Sequence, residues 1–316
     1  MMQTAKNARI LIPGAAGLVG QNLIIELKKQ GYTNLVALDK YRDNLAILRK
    51  LHPDITVIEA DVSEPGDWQQ AFAGGEVVVM LQAQIGSRYS DDFIRNNIQS
   101  AEYVIDTMKE HRIPYVVHIS SSVVESAADD DYTNTKKAQE RIVLESGLEY
   151  TMLRPTLMFG WFDRKHLGWL SRFMQKVPVF PIPGSGKVTR QPLYVVDFCR
   201  MIISAIESGP HNRIYDITGR EKITYVDIIR KIQQTVGARC LILPIPYRLF
   251  WILLKTWALF DRNPPFTTDQ LEALVAADEF AVIPWDEIFG VTPTPFDEAI
   301  RQTFCDPVYS RYVLKF

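Results

Sequence analysis

The stretch Ile10-Leu11-Ile12-Pro13-Gly14-Ala15-Ala16-Gly17-Leu18-Val19-Gly20 decides the fold. An apolar run that suits a buried strand enters three glycines at GxxGxxG spacing, and the last glycine already lies within the helical pattern LVGQNLIIELKKQG. Glycine at the first two places lets the chain turn sharply and lets a phosphate approach the backbone. The helix start behind them offers unpaired N–H groups and the positive end of a dipole. Strand, turn and helix in this order predict a dinucleotide site, with the pyrophosphate against Gly14, Ala16, Gly17, Leu18, Val19 and Gly20.

Outward from this turn, short apolar runs alternate with helical patterns. They include NLVALD, ITVIEAD, a helix near WQQAFA, VVVML, DDFIRNNIQSAEYVIDTMKEH, YVVHIS, TNTKKAQERIVLESG and EYTMLRP. Strands apolar throughout and separated by helices predict an α/β fold, a Rossmann-type doubly wound parallel sheet. After Pro155 the rhythm breaks. VPVFPIPGSGK reads as loop, and TYVDIIRKIQQTVG reads as a helix capped by Thr224 and closed by Gly237. The expected organisation is a dinucleotide-binding domain over residues 1–155, completed by about 191–219. Residues 156–190 and 220–316 then form a smaller, mainly helical substrate-binding lobe.

Composition is that of an ordinary soluble globular protein, 47% apolar and 23% charged over 316 residues. A formal net charge of −2 argues against nucleic acid as a partner and leaves room for an anionic small molecule in a local basic pocket. Cys199, Cys240 and Cys305 are far apart, without CxxC spacing or a neighbouring histidine, so no metal site and a reducing, cytoplasmic location are expected. The polar start MMQTAKN lacks the apolar core of a secretory signal. The segment from Leu249 to Phe260, LFWILLKTWALF, is too short to span a bilayer. It reads as a core helix, or as one that rests on a membrane or meets a lipophilic substrate.

Asp39 ends the second strand at the distance where a carboxylate accepts hydrogen bonds from the adenosine ribose, which favours NAD over NADP. Lys40 and Arg42 pull the other way, since a basic group can hold a 2′-phosphate. Asp61, at the end of ITVIEAD, either meets the adenine or is a solvated strand end. Gln82, Ala83 and Gln84 follow VVVML, where ligands of such sheets bind. In Ser120-Ser121-Ser122 and Tyr132-Thr133-Asn134-Thr135-Lys136, a phenol that is a poor base at neutral pH has a lysine at i+4, on its own helix face. Asp129, Asp130 and Asp131 suit the start of that helix as caps, and close to the tyrosine they would raise its pKa.

Taken together, GxxGxxG, Asp39, Asp61, the serines and Tyr132-xxx-Lys136 resemble the extended short-chain dehydrogenase/reductases of the NAD-dependent epimerase/dehydratase family. The likeness continues through Arg154-Pro155-Thr156-Leu157-Met158-Phe159-Gly160, Arg190-Gln191-Pro192-Leu193-Tyr194-Val195-Val196-Asp197 and Tyr215-Asp216-Ile217-Thr218-Gly219. It implies NAD as cofactor, contacted also by Lys40, Val62, Leu81, Gln82, Ala83, Asn97, Ser120 and Pro155. Tyr132 would be the acid/base, Lys136 its cationic partner and a ribose ligand, and Ser122, with Ser121 second, the donor to the substrate oxygen. Asn97 matches a helix asparagine that supports the site in relatives. Arg190 matches an arginine that holds a nucleotide-sugar diphosphate, whereas Leu157 stands where such enzymes carry a phosphate-contacting asparagine. The loop between Ser122 and Tyr132 is shorter than in most members. The stretch from Leu243 to Phe280, with IFGVTPTPFDEAIRQTF after it, resembles atypical members related to an accessory subunit of respiratory complex I.

The resulting expectation is an NAD(P)-dependent oxidoreductase or epimerase/dehydratase acting on a hydroxyl or carbonyl, with a nucleotide sugar as one substrate class and a homodimer as in many relatives. Two other readings stay open: a non-catalytic dinucleotide-binding structural or assembly protein, and a dehydrogenase of steroid-like or quinone-related lipophilic substrates.

Overall fold

Strand β1 (Ile10–Pro13) is buried along its whole length, as are β2 (Leu35–Asp39), β4 (Val77–Met80) and β5 (Tyr115–Ile119). Strands apolar on both faces belong in the middle of a sheet covered on both sides. The computed structural model, which describes residues 5–126, 128–260, 271 and 281–315, places them there. With β3 (Thr56–Glu59), β6 (Glu149–Pro155) and Arg213–Ile217, β11 in chain order, they form a seven-stranded sheet of order β3-β2-β1-β4-β5-β6-β11, parallel at every step. Winding reverses between β1 and β4, so the crevice for a ligand lies at their C-terminal ends.

Helix α1 (Leu18–Lys29) packs against α7 (Val195–Ser208) over one side of the sheet. On the other side, α4 (Ser100–Glu110) and α5 (Asp131–Glu145) bury Val104, Ile105, Met108 and Val143 against Val78, Val116 and Met152. Two elements differ from the sequence expectation. The turn at WQQAFA is a 3-10 helix, Asp67–Phe72. The long helix of DDFIRNNIQSAEYVIDTM is interrupted: α3 (Ser90–Phe93) passes through a π-helical segment, Ile94–Gln99, before α4. Such segments often mark functional sites, and this one carries Asn97.

Beyond β6, helices α6 (His166–Met174) and α8 (Tyr225–Val236) form as the pattern predicts. The Thr224 hydroxyl accepts the Asp227 N–H, and Gly237 closes α8 at φ 65°. Further on lie α9 (Tyr247–Phe260), α10 (Trp285–Phe289) and α11 (Phe296–Cys305). The expected loop VPVFPIPGSGK is a correction. Its residues Val179–Pro183 form β8, parallel to β13 (Leu241–Ile245) in a two-stranded ribbon. Prolines remove ladder donors and read as loop, but in a ribbon of two strands each needs donors on one edge only. Two smaller pairs, β7 (Met158–Phe159) with β10 (Leu193–Tyr194) and β9 (Thr189–Arg190) with β12 (Ile223–Thr224), also form beyond β6, so the C-terminal part is less purely helical than expected. One buried apolar set runs from Ile10 and Leu23 through Phe198 to Ile228, Trp285 and Ile300, so lobe and sheet share a core. Of the tail, the stretch 261–280 lies outside the described residues except for the buried Leu271.

Candidate active site

The glycine turn has three different internal demands. Gly14 has φ 82°, and a Cβ there would stand 2.5 Å from the backbone nitrogen of Gln82, so glycine lets β1 pass tightly against the end of β4. A Cβ on Gly20 would stand 2.4 Å from the Ala15 carbonyl oxygen. Gly17, by contrast, meets only the Gly14 carbonyl at 3.4 Å, with φ −78°, and caps α1 without a side chain. The first N–H groups of the helix, from Leu18, Val19 and Gly20, have no intrahelical acceptor, and the first turn holds no acidic residue. Room and donors for a pyrophosphate are therefore present at Gly17 without serving the fold. Gly17→Ala should cost less than about 1 kcal/mol of stability while lowering dinucleotide affinity by about tenfold or more, since a methyl would occupy the phosphate approach. Urea unfolding and an NADH fluorescence titration, run side by side, check this; equal affinity would remove the phosphate from that turn.

Asp39 is joined to the turn. Its Oδ2 accepts the Ala16 N–H and its Oδ1 the Tyr41 N–H, each at 3.0 Å. Burial raises its pKa, opposed by these N–H groups and by Lys40, and each oxygen keeps a lone pair for a ribose hydroxyl. The two basic neighbours that favoured a 2′-phosphate are engaged inside the chain. Lys40 Nζ donates to Asp61 Oδ2 at 3.3 Å and to Asn96 Oδ1 at 2.5 Å, and Arg42 grips Glu59 through Nε and Nη2. Asp61 is no solvated strand end. Oδ1 accepts from the N–H and hydroxyl of Ser63, and Oδ2 from Lys40 and Arg95. Burial works to raise its pKa, but these bonds hold it below the usual carboxylate value. Val62 beside it is buried.

At the ends of β4 and β5, Leu81 donates its N–H to Pro13 O at 3.0 Å, and Ala83 is exposed. Here the side-chain oxygen and nitrogen of Gln82 and the hydroxyl of Ser120 are buried without a protein partner. Orphaned polar atoms of this kind need a ligand or water, and they lie at the C-terminal ends of the strands, where ligands of such sheets bind. Asn97 staples this region together: Oδ1 accepts the Gln84 N–H at 2.6 Å, and Nδ2 donates to Gln84 O and to Thr135 Oγ1.

Of the three aspartates expected as caps of α5, Asp130 alone has that role. Asp130 accepts the Thr133 N–H at 2.8 Å, Asp129 accepts from Asn134, and Asp131 accepts from Ser90. Burial raises the pKa of the Tyr132 phenol, Asp130 adds to the rise, and a hydrogen bond with Ser121 counters it. Ser121 is thus the serine whose hydroxyl bears on the phenol's ionisation. It caps the 3-10 turn Ser122–Glu125, accepting the Val123 N–H, so Ser122 is the first residue inside that turn. Lys136 also differs from the expectation. Its Nζ donates to Ile119 O at 3.0 Å and to Gln139 Oε1, while Gln139 Nε2 reaches Gln82 O, so the ammonium is drawn toward the end of β5. Burial lowers its pKa to about 7, with Glu140 opposing. Two of its three donors are thus engaged, leaving one for a ribose hydroxyl.

Gln139 was legible only as a residue at i+3 from Lys136, on the same helix face. His118, fully buried one residue before the end of β5, is likewise beyond the motifs. Both its ring nitrogens lack a protein partner, and burial, with Lys136 near, keeps it neutral. Pro155 ends β6 opposite Ile217. Arg190 lies in the second lobe, on β9, with Nη1 donating to Thr189 O. Among the described residues no cluster could hold a metal ion, and no helix is long and apolar enough to cross a membrane.

Residues 10–218 match the model of the NAD dependent epimerase/dehydratase family. A dTDP-glucose 4,6-dehydratase of Streptomyces niveus is 25% identical over 264 residues, covering 73% of this chain and 78% of the relative. Subunit 9 of the mitochondrial NADH dehydrogenase (ubiquinone) 1 alpha subcomplex of Arabidopsis thaliana is 27% identical over 219 residues, 67% of this chain and 54% of that longer protein. Among solved structures, the UDP-glucuronic acid 4-epimerase of Bacillus cereus in complex with NAD superposes with a TM-score of 0.72 at 18% identity, over 94% of this chain and 97% of that one. The chain belongs to the NAD-dependent epimerase/dehydratase family, and its cofactor is NAD.

Proposed function

We propose that this member of the NAD-dependent epimerase/dehydratase family oxidises a carbinol of a nucleotide-activated sugar at the sheet's C-terminal edge, the first step of an epimerisation or a dehydration. The observation that carries the reading is the pair of buried, unpartnered polar groups of Gln82 and Ser120 at the ends of β4 and β5, with Tyr132 in the capped first turn of α5, where the Ser121 hydroxyl favours its ionisation. NAD, when bound in this cleft, would supply the hydride acceptor for that oxidation and the donor for the later reduction. Tyr132 takes the hydroxyl proton, Ser121 holds the substrate oxygen as charge develops, and Lys136 gives its third donor to a ribose hydroxyl. Gly17 and the start of α1 hold the pyrophosphate, and Asp39 holds the adenosine ribose. Ser122, inside the 3-10 turn that Ser121 caps, takes no part in this reading. Arg190 is kept as the ligand of the substrate's diphosphate, the role guanidinium geometry suits.

A second reading has its own support. Burial and Asp130 both push the Tyr132 phenol away from ionisation, and Lys136 is turned toward Ile119 O, as suits a protein that holds NAD without turnover. One experiment separates the two. NADH binding with a raised melting temperature is expected in either case. Incubation with NAD and UDP-glucose, UDP-glucuronic acid or dTDP-glucose, followed by proton NMR, should show a 4-epimer or a 4-keto-6-deoxy sugar. Binding of NADH with all three sugars unchanged would sink the sugar-nucleotide reading and favour the second.

A further inference from the structure

Residues 241–260, LILPIPYRLFWILLKTWALF, carry two charges, Arg248 and Lys255, and both are basic, in a chain whose acidic residues outnumber its basic ones by 37 to 35. Helix α9 is apolar on two sides. Its inner side buries Leu254, while Trp257, 41% exposed at the border of the two sides, stands 6.4 Å from Phe173 of α6, centroid to centroid. At the helical period, Leu249, Ile252, Leu253 and Phe260 share the opposite side. There Leu249 is 47% exposed, Ile252 54% and Leu253 50%, and on the neighbouring ribbon Leu241 is 63% exposed. Arg248 and Lys255 lie together on one flank, with the Lys255 ammonium 5.1 Å above the Trp251 ring. Contiguous apolar surface of this kind on a folded chain marks a docking face.

We propose that β13 and the outward side of α9 dock on a lipid bilayer carrying anionic headgroups. Charge decides the occupant: an apolar face with basic residues alone on its flank suits anionic headgroups, and no acidic residue interrupts these two elements. Trp257, and Trp251 beneath the Lys255 ammonium, are amphipathic aromatics suited to a membrane interface. Lys255 and Arg248 have stems long enough to keep their charges at headgroup level while the leucines enter the acyl boundary. With 14 residues, α9 is about 21 Å long, short of the hydrocarbon core, so it lies in the interface plane.

The test is sedimentation of the full-length protein with vesicles of phosphatidylcholine alone, and of phosphatidylcholine with about one-third phosphatidylglycerol. The wild type should pellet with the anionic vesicles and stay largely in the supernatant with the neutral ones. Replacing Ile252 and Leu253 together by Glu should lower partitioning by about tenfold or more. Replacing Arg248 and Lys255 together by Gln should erase the preference for anionic lipid. Both doubly substituted proteins should keep the wild-type melting temperature and NADH affinity, which excludes misfolding. Failure of the wild type to pellet with either vesicle overturns the proposal. So does a dimer in light scattering that the Glu substitutions dissociate, since the face would then be an interface between copies.

Discussion

Replacing Tyr132 by Phe lowers turnover by about 10²–10⁴-fold, the usual worth of one positioned acid/base, and leaves NADH affinity within about twofold. The phenol sits on the first turn of α5, whereas the pyrophosphate and adenosine ribose are assigned to the glycine turn and Asp39, so deleting its oxygen should touch the chemistry and spare cofactor binding. Ser121→Ala should lose turnover by about tenfold or more, as for one hydrogen-bond donor at the reacting oxygen, whereas Ser122→Ala should behave as the wild type. The reverse ranking would return Ser122 to the substrate. The pH profile supplies an independent check. Asp130 raises the phenol's pKa, and the phenolate is the base, so Asp130→Asn should move the rising limb of turnover to lower pH. Asparagine still caps a helix, so α5 should persist. An unchanged rising limb, with turnover intact in Tyr132→Phe, would take the proton transfer away from this tyrosine.

The sheet was legible because its signals are local: strands of four or five buried residues and helices with clear apolar faces reveal themselves through side-chain periodicity. The glycine turn was legible too, although its letters could not assign Gly14 and Gly20 to internal close approach and Gly17 to open space. What the letters missed depends on rotamers and partners. Lys136 donates to Ile119 O and to Gln139, three residues on, and Ser121 rather than Ser122 caps the 3-10 turn, pairings that no spacing in the letters displays. Likewise Lys40 and Arg42 read as ligands for a 2′-phosphate until Asp61 and Glu59 are seen to hold them. The ribbon of β8 and β13 escaped because proline reads as loop wherever the pairing partner, some sixty residues away, is unknown.

Replacing Arg154 by Met destabilises the protein by about 3–5 kcal/mol, the cost of breaking a buried ion pair from one side. The guanidinium on β6 forks onto Glu140 of α5, Nε to Oε1 at 2.8 Å and Nη2 to Oε2 at 2.6 Å, with the Glu140 side chain 7% exposed. The same group reaches Glu125 in the serine-bearing turn, and Asp216 of β11 at 3.6 Å. One side chain therefore anchors the helix that carries Tyr132 and Lys136, the turn that carries Ser121, and the edge strand. Glu125 and Asp216 are largely exposed, so their loss should cost little; the penalty comes from Glu140, left buried without its bidentate hydrogen-bond partner and with Lys136 as its cationic neighbour. The double substitution Arg154→Met with Glu140→Leu should then recover most of the stability, because removing both charges removes that penalty. Turnover should not recover with it, since the apolar pair no longer tethers Glu125 and the Ser121 turn. Urea unfolding and turnover measured on the same three proteins distinguish the cases. Recovery of both would reduce Arg154 to a stabilising contact, and recovery of neither would mean that apolar side chains cannot pack in that position.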